Sequence, residues 1–356
     1  MTWQGASTNC VSDVTGQGAR PGRVRAAAVM ADGEAHVVAD GGARPMADGG
    51  AHRDAAVHPG GAHPGDPDPR PHLRPDRLDR LCRRLGFRDA DRRELLHQAA
   101  HLSTEDLADI ARAAGALRGL LGRWGMDRPE VFADFPDRPG RPRGLIPMLA
   151  LLCGVPEVRD YHARRGIAEA DTMAALADLG QQVWVFRQVF GEFGLDSQGW
   201  LTTAWAGAFF WLGRLQFNLM PYRGGHVISV HIPQTGPLAP AAVDEAFGRA
   251  EAFFATHFPD APATSLHCDS WLLDPRLGEV LDPDSNLARF QRRWRLTGEA
   301  KEADASVLYF VFRYRPRPGE APDRRALPRT TSLERAVLDH LDTGGHWYSH
   351  TGLIDL

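Results

Sequence analysis

The sequence predicts an α+β protein in which a helical N-terminal domain is followed by a mixed β-sheet domain flanked by helices. Three observations lead there. Residues 1–72 are rich in Ala, Gly, Asp, Pro and His and poor in aliphatics, so they stand apart from the folded part. Between about 73 and 200, apolar residues recur at helical spacing. Past Trp200 the period shortens to that of strands, and strands then alternate with helices, an order that builds a mixed sheet with a crossover. The expected division is a low-complexity tail (1–72), a helical domain (73–200) and a sheet domain (201–356).

In the tail, A-D-G-[GE]-A recurs from Ala31, Ala39 and Ala47. Such a stretch buries too little apolar area to offset its ordering entropy, so it is expected to be disordered. Its histidines (His36, His52, His58, His63, His72) read as part of a biased spacer, with a metal tract as the alternative. Helices are expected where Leu78, Leu81 and Leu85 share a face, where Leu95, Leu96 and Ala99 do, and after Ser103. The third is expected to run on through Ala111 to Trp124 and to close at Gly125. Leu145–Cys153 and Glu157–Arg164 read as two further helices, and a long one over 171–190 takes Asp171 as its N-cap.

In the second half, Ala208 to Met220 suits a buried strand pair or a strand after a short helix, Gly224-Gly225 a turn, and His226 to Ile232 an alternating strand. Ala241 to Phe258 is amphipathic with Pro240 near its start. Thr264 to Leu273 is another strand. Asp274-Pro275 opens a short helix, and Asp284 or Ser285 caps the next. Arg295–Thr297 and Val307–Arg313 read as strands, Thr331-x-x-Glu334 as a capping box on a last helix, and His346 to Leu356 as a final strand.

Composition limits the function classes. The formal net charge is −4, and Lys301 is the single lysine among 41 basic residues, so no basic field points to nucleic acid or anionic lipid. Four cysteines (Cys10, Cys82, Cys153, Cys268) show no C-x-x-C spacing, which argues for reduced thiols rather than a zinc or redox motif. With no membrane-length apolar run and no visible secretory signal, the expected location is the cytoplasm, and no membrane partner is expected. Walker, Rossmann, H-E-x-x-H and G-x-S-x-G motifs are missing from the sequence.

At LGRLQF (Leu212 to Phe217), VHIP with its following loop (Val230 to Leu238), CDSWLL (Cys268 to Leu273) and DPDSN with a following Phe (Asp282 to Phe290), the chain resembles a bacterial family common in actinobacteria. Its members, acyltransferase domain-containing proteins, join a helical N-acyltransferase N-terminal domain to a GNAT-like C-terminal domain. The resemblance spans roughly residues 75–356. It implies a GNAT-type fold and acyl transfer from acyl-coenzyme A as co-substrate, with no permanently bound cofactor and no metal. It implies no acceptor; the expected one is an unknown small-molecule or peptide amine.

A coenzyme A enzyme must hold a diphosphate, and amides at a strand–loop–helix junction do this well. Ile232, Gln234, Thr235, Gly236 and Leu238 form the one such junction expected in the core, with Gly236 permitting close approach. The usual Q/R-x-x-G-x-G/A signature is broken: counted from Gln234, its first Gly falls on Pro237, which has no N–H. Amide formation also needs a base for the acceptor and an acid for the leaving thiolate. His231, at the end of the strand feeding the loop, is the candidate base, with His267 as an alternative. Cys268 is a candidate nucleophile only if a base lies within reach. Ser270 is a candidate hydrogen-bonding group, and Asn286 a ligand for the pantetheine amide or a helix cap. Arg214, amid apolar residues, requires a buried partner or a ligand. Tyr309 and Tyr314 are further candidate acids. The rival readings are a GNAT-like binding or regulatory module without catalysis, and Cys268-dependent acyl transfer.

Overall fold

The computed structural model describes residues 67–233, 235–315 and 323–356. The expected tail therefore lies almost wholly outside the described residues. The helical part comprises α1 (Pro75–Arg84), α2 (Asp89–Ala99), α3 (Thr104–Arg118), α4 (Leu145–Arg164), α5 (Glu169–Leu176), α6 (Asp178–Phe190) and α7 (Gln198–Trp205). The sheet part runs β1 (Phe209–Leu212), β2 (Leu215–Tyr222), β3 (Gly225–His231), α8 (Pro240–His257) and β4 (Ala263–Ser270). It continues with α9 (Pro275–Val280), α10 (Asn286–Gln291), β5 (Arg295–Glu302), α11 (Asp304–Phe312), α12 (Ser332–Asp342) and β6 (Tyr348–Asp355). Helical region and mixed sheet together are the α+β architecture expected from the sequence.

Local chemistry sets several boundaries. Ser103 and Asp106 form a capping box on α3, and Thr331 and Glu334 form one on α12. Asp274 caps α9, and the Ser285 side chain caps α10. Four boundaries differ from the sequence expectation. α3 stops at Arg118 rather than Trp124, because the chain turns at Gly119 and the Gly122 amide, at φ 79°, donates to Ala206 O. α4 runs straight through Pro156. An interior proline costs about 3 kcal/mol, but this helix buries Leu149, Leu151, Leu152, Val155 and Val158, each contributing about 2 kcal/mol. The helix expected over 171–190 is two: α5 is capped at Ala168, leaving Asp171 in its first turn, and α6 starts at Asp178. Val307–Arg313 is not a strand, since α11 covers it. Asp304, in the first turn of α11, accepts from the Trp347 amide and from His346, which ties the helix to the start of β6. A short apolar run is ambiguous between strand and helix, and here the tertiary anchor decides.

The six strands form one sheet in the order β1-β2-β3-β4-β6-β5. All neighbours are antiparallel except β3 and β4, which are parallel and joined by the crossover helix α8. Side-chain alternation gives the sheet two unlike faces. Phe217, Leu219, Ile228, Val230, Leu266 and Cys268 point to one face and belong to the hydrophobic core with Val243, Ala250 and Phe254 of α8. Gln216, Asn218, Ser229, His231 and His267 alternate with them on the other face, and all five are buried.

The parallel ladder is incomplete. Its register runs through Ile228–Leu266 and ends at Ser229–His267. β3 continues to His231 on β2, and β4 continues to Ser270 on β6. Past that last pair the two parallel strands no longer bond each other, leaving a slot that opens toward their C-terminal ends.

His162 on α4 welds the helices to the sheet, bonding Thr172 Oγ1 at 2.9 Å and Gly207 O at 3.1 Å. The α1–α6 contact depends on a missing side chain. A Cβ at Gly180 would collide with the Leu85 carbonyl and the Phe87 amide, both backbone and unable to yield. Gly180→Ala is therefore expected to cost about 2 kcal/mol or more and lower the thermal midpoint by roughly 5 °C. An unchanged midpoint in calorimetry would contradict this packing.

Candidate active site

The slot opens beside a cavity of about 570 Å³. His231, Gln216 and Trp211 line it from the sheet, Asp178 and Gln182 from α6, and Trp200 from α7. Pro233 and Thr235 form its edge toward α8, and Tyr309 and Phe310 of α11 approach from another side.

His231 is the chemical centre of this cavity. It is only 3% exposed, and its Nε2 lies 2.6 Å from Asn218 Oδ1. The Asn218 amide nitrogen donates to Gly125 O at 3.1 Å and Leu219 O at 3.2 Å, which fixes which end of that side chain is oxygen. An oxygen facing Nε2 requires Nε2 to carry the proton. The hydrogen-bond network thus assigns the Nε2–H tautomer and leaves Nδ1 as the lone-pair nitrogen. Burial, with the nearby His267, pushes the imidazole down to about 3, so the ring is neutral. The Trp200 indole packs against it edge-on, with ring centres 4.8 Å apart. Trp200 in turn donates from Nε1 to Asp178 Oδ2 at 2.8 Å. Burial raises Asp178 to about 6, against the opposing hydrogen bonds from Trp200 and Gln182.

Between β3 and α8, the turn is built around Arg214. That residue sits with Gly213 in the two-residue hairpin between β1 and β2, where Gly213 takes φ 75°. Its guanidinium donates to Pro237 O at 2.9 Å, to Pro233 O at 3.0 Å and to Gly236 O. The partner expected for Arg214 is thus a set of carbonyls, with Thr235 Oγ1 at 3.5 Å, and among the described residues no carboxylate pairs with it. Burial lowers its pKa to about 10. The Thr235 amide is engaged inside the turn, donating to Pro233 O at 2.8 Å, so it is not the free donor expected from the sequence. Among the described residues, neither the Gly236 nor the Leu238 amide has an acceptor. Gly236 has φ 143°, where a side chain is disfavoured, and a Cβ there would meet nothing. Ile232 and Leu238 bury their side chains in the core. Gln234 lies outside the described residues.

Of the sequence candidates, His231, Thr235 and Tyr309 line this cavity, and Cys268, Ser270, Asn286 and Tyr314 do not. Cys268 is fully buried on the opposite sheet face, where burial raises its thiol well above the usual range, the reverse of an activated nucleophile. Ser270 is also fully buried, and its Oγ accepts the Leu272 amide at 3.0 Å. Asn286 opens α10 next to the Ser285 cap. His267 shares the face of His231 and stands opposite Ser229 at the neck of the slot. Its buried Nδ1 has no partner among the described residues. Sequence reading missed Asn218, Gln216, Trp200 and Asp178. The first two had left a signal: LQFNLM places two amides at i and i+2 in an otherwise apolar strand.

Two domain families match in succession. The N-acyltransferase N-terminal domain covers residues 76–207, and the GNAT-like C-terminal domain covers residues 209–354. No curated protein matches the chain. Among solved structures, an acyltransferase in complex with decanoyl-CoA and teicoplanin is 34% identical, with a TM-score of 0.68, over 79% of this chain and 88% of that one. The chain belongs to this acyltransferase family. A mutant of the acyltransferase orf11* in complex with octanoyl-CoA matches with the same identity, TM-score and coverage. An acyltransferase in complex with decanoyl-CoA matches at 33% identity, also with a TM-score of 0.68, over 79% of this chain and 88% of that one. Family members thus carry the same two-part architecture as this chain. Among the described residues, no helix is long and apolar enough to cross a membrane.

The buried groups give a pH signature. His231 at about 3 and His162 at about 4 are neutral when folded, but take up protons near 6.5 when unfolded. Their stabilisation is complete above about 6.5 and is lost as pH falls toward 4, each by up to about 1.4 kcal/mol per pH unit. Asp178 acts oppositely: raised to about 6, it favours the fold increasingly as pH falls from there toward its ordinary 3.8. Asp178→Asn removes that opposing contribution. Urea midpoints at pH 7 and 4.5 are expected to fall further in the variant than in the parent, and equal falls would refute the assignment.

Proposed function

We propose that this protein transfers an acyl group from acyl-coenzyme A to an amine by direct attack in a ternary complex, with His231 as the base. The observation that carries the reading is the slot past Ser229–His267 with the neutral, oriented imidazole at its mouth. The relatives solved with octanoyl-CoA and decanoyl-CoA support medium-chain acyl donors. Pantetheine would lie between the ends of β3 and β4, with its thioester near His231 and its diphosphate at the turn before α8. The helical domain, ending near residue 200, would close the acceptor side through Asp178, Gln182 and Trp200. A relative solved with teicoplanin supports an acceptor entering from outside as a separate molecule. A cytoplasmic location fits the free thiols Cys82, Cys153 and Cys268.

The steps balance without a covalent enzyme intermediate. The acceptor nitrogen bonds to the thioester carbonyl carbon, and its proton passes to Nδ1 of His231. The tetrahedral intermediate collapses by breaking C–S, and the imidazolium returns the proton to the sulfur. The products are an amide and free coenzyme A. Asn218 holds the proton on Nε2 throughout, which keeps the receiving nitrogen turned to the substrate. This reading assigns Cys268 no step.

The test pairs binding with turnover. Decanoyl-CoA should raise the thermal midpoint by mass action, and a panel of amines should include one that releases coenzyme A thiol. His231→Ala should lower kcat by 10²- to about 10⁴-fold while still binding decanoyl-CoA. Absence of any shift with octanoyl- or decanoyl-CoA would favour a non-catalytic module instead. Because burial pushes the free imidazole down to about 3, kcat/KM should show no inflection near 6.5 that depends on His231, as distinct from any limb near 6 set by Asp178. A single acidic limb at 6.5 that vanishes in His231→Gln would refute the buried-base assignment.

A further inference from the structure

We infer that Arg214 is the cation of the diphosphate site, acting through the turn it braces rather than by touching the ligand. The inference rests on the acyl-coenzyme A reading above and adds to it the residue that replaces a missing part of the phosphate loop. The turn lacks two donors that a diphosphate cradle would use: Pro237 has no N–H, and the Thr235 amide is bonded to Pro233 O. What the turn has instead is a guanidinium on one side. Arg214 binds the carbonyls of Pro233, Gly236 and Pro237. Each planar trans peptide points its N–H opposite to its C=O. With Pro237 O drawn toward Arg214, the Leu238 N–H is aimed away from it, and this amide has no acceptor among the described residues.

The charge balance is equally one-sided. No carboxylate lies within ion-pair distance of Arg214 among the described residues, although the chain pairs most of its buried or half-buried arginines with Asp or Glu. A half-buried cation held by three carbonyl oxygens and, at 3.5 Å, the Thr235 hydroxyl is under-compensated, and its burial lowers its pKa. A diphosphate across the turn supplies the missing negative charge and meets amides already turned to face it. The same residue thus sets the turn's orientation and its electrostatic sign.

The test uses the full chain and two probes, decanoyl-CoA and S-decanoyl-pantetheine, which share the thioester and differ in the nucleotide diphosphate. The readout is the ratio of their Kd values by calorimetry. The parent protein should favour decanoyl-CoA, and Arg214→Gln should reduce that preference about tenfold or more. Arg214→Lys, which keeps the charge but not the three-carbonyl geometry, should fall between. A merely structural role would weaken both probes alike and leave the ratio unchanged, which would overturn the inference while the acyl-coenzyme A reading stands. A parent protein that binds the two probes equally would overturn the diphosphate placement itself. Thermal midpoints of both variants show whether each is folded, and if Arg214→Gln is not, the Arg214→Lys ratio alone decides.

Discussion

The site depends on where the β3–β4 ladder stops. Parallel pairing normally runs the length of the shorter strand, because each unpaired buried amide or carbonyl costs free energy. Here it ends at Ser229–His267, although both strands continue, each zipped to its outer neighbour. The outer ladders hold β3 and β4 in place, so the gap between them is a feature of a rigid sheet rather than of a loose edge. The backbone groups facing that gap are available to a ligand with amides of its own, which is what pantetheine offers. The crossover through α8 then brings a helix start to the mouth of the same gap.

Alternation along the strands divides the labour. One face of the sheet is continuous with the core under α8. The other carries five buried polar side chains between β2 and β4 and is covered by α6 and α7. A strand slipped by one residue would send Cys268 to the cavity and His267 to the core. The register excludes that, and with it the pairing of Cys268 with His231. The helical domain is part of the site for the same reason. Without Trp200 and Asp178 over it, His231 would be solvated, would titrate near its ordinary value, and would lose the fixed orientation that Asn218 gives it.

Much of this was legible in the sequence, and the exceptions have physical causes. The helix start after Ser103, the capping box at Thr331, the helix opened by Asp274-Pro275 and the alternation of HVISVHI are local signals, and the structure bears out each of them. The place of His231 at a strand end before a loop was legible as a local pattern, whereas its role as a base is the proposal made above. α11 was misread, because an aromatic, β-branched run carries no information about the Asp304–Trp347 tie that makes it a helix. Pro156 misled in the other direction: a breaker was outweighed by burial on every side of α4. Asn218, Trp200 and Asp178 could not be assembled from spacing, since they come from β2, α7 and α6 and meet only through the docking of helices on the sheet. The gap after Ser229 is likewise invisible in the sequence, because a ladder's end is decided by partners far along the chain.

Burial pushes the His231 imidazole down to about 3, which looks too weak for the proposed role of base, yet the same burial explains why it would suit it. An imidazole that stays neutral across the working range never has to be deprotonated before the acceptor arrives. Its affinity for a proton is low because burial desolvates the ring beside His267, and among the described residues no carboxylate hydrogen-bonds to it to supply a stabilising negative charge. In the proposed reaction, attack on the thioester would create one as the carbonyl oxygen becomes anionic and the nitrogen sheds its proton. Beside a buried ring that charge would act strongly, favouring imidazolium only while the intermediate exists. When the C–S bond breaks, the charge moves to sulfur and the proton follows it. The low resting value is therefore part of how proton transfer would be coupled to bond making and breaking at this site.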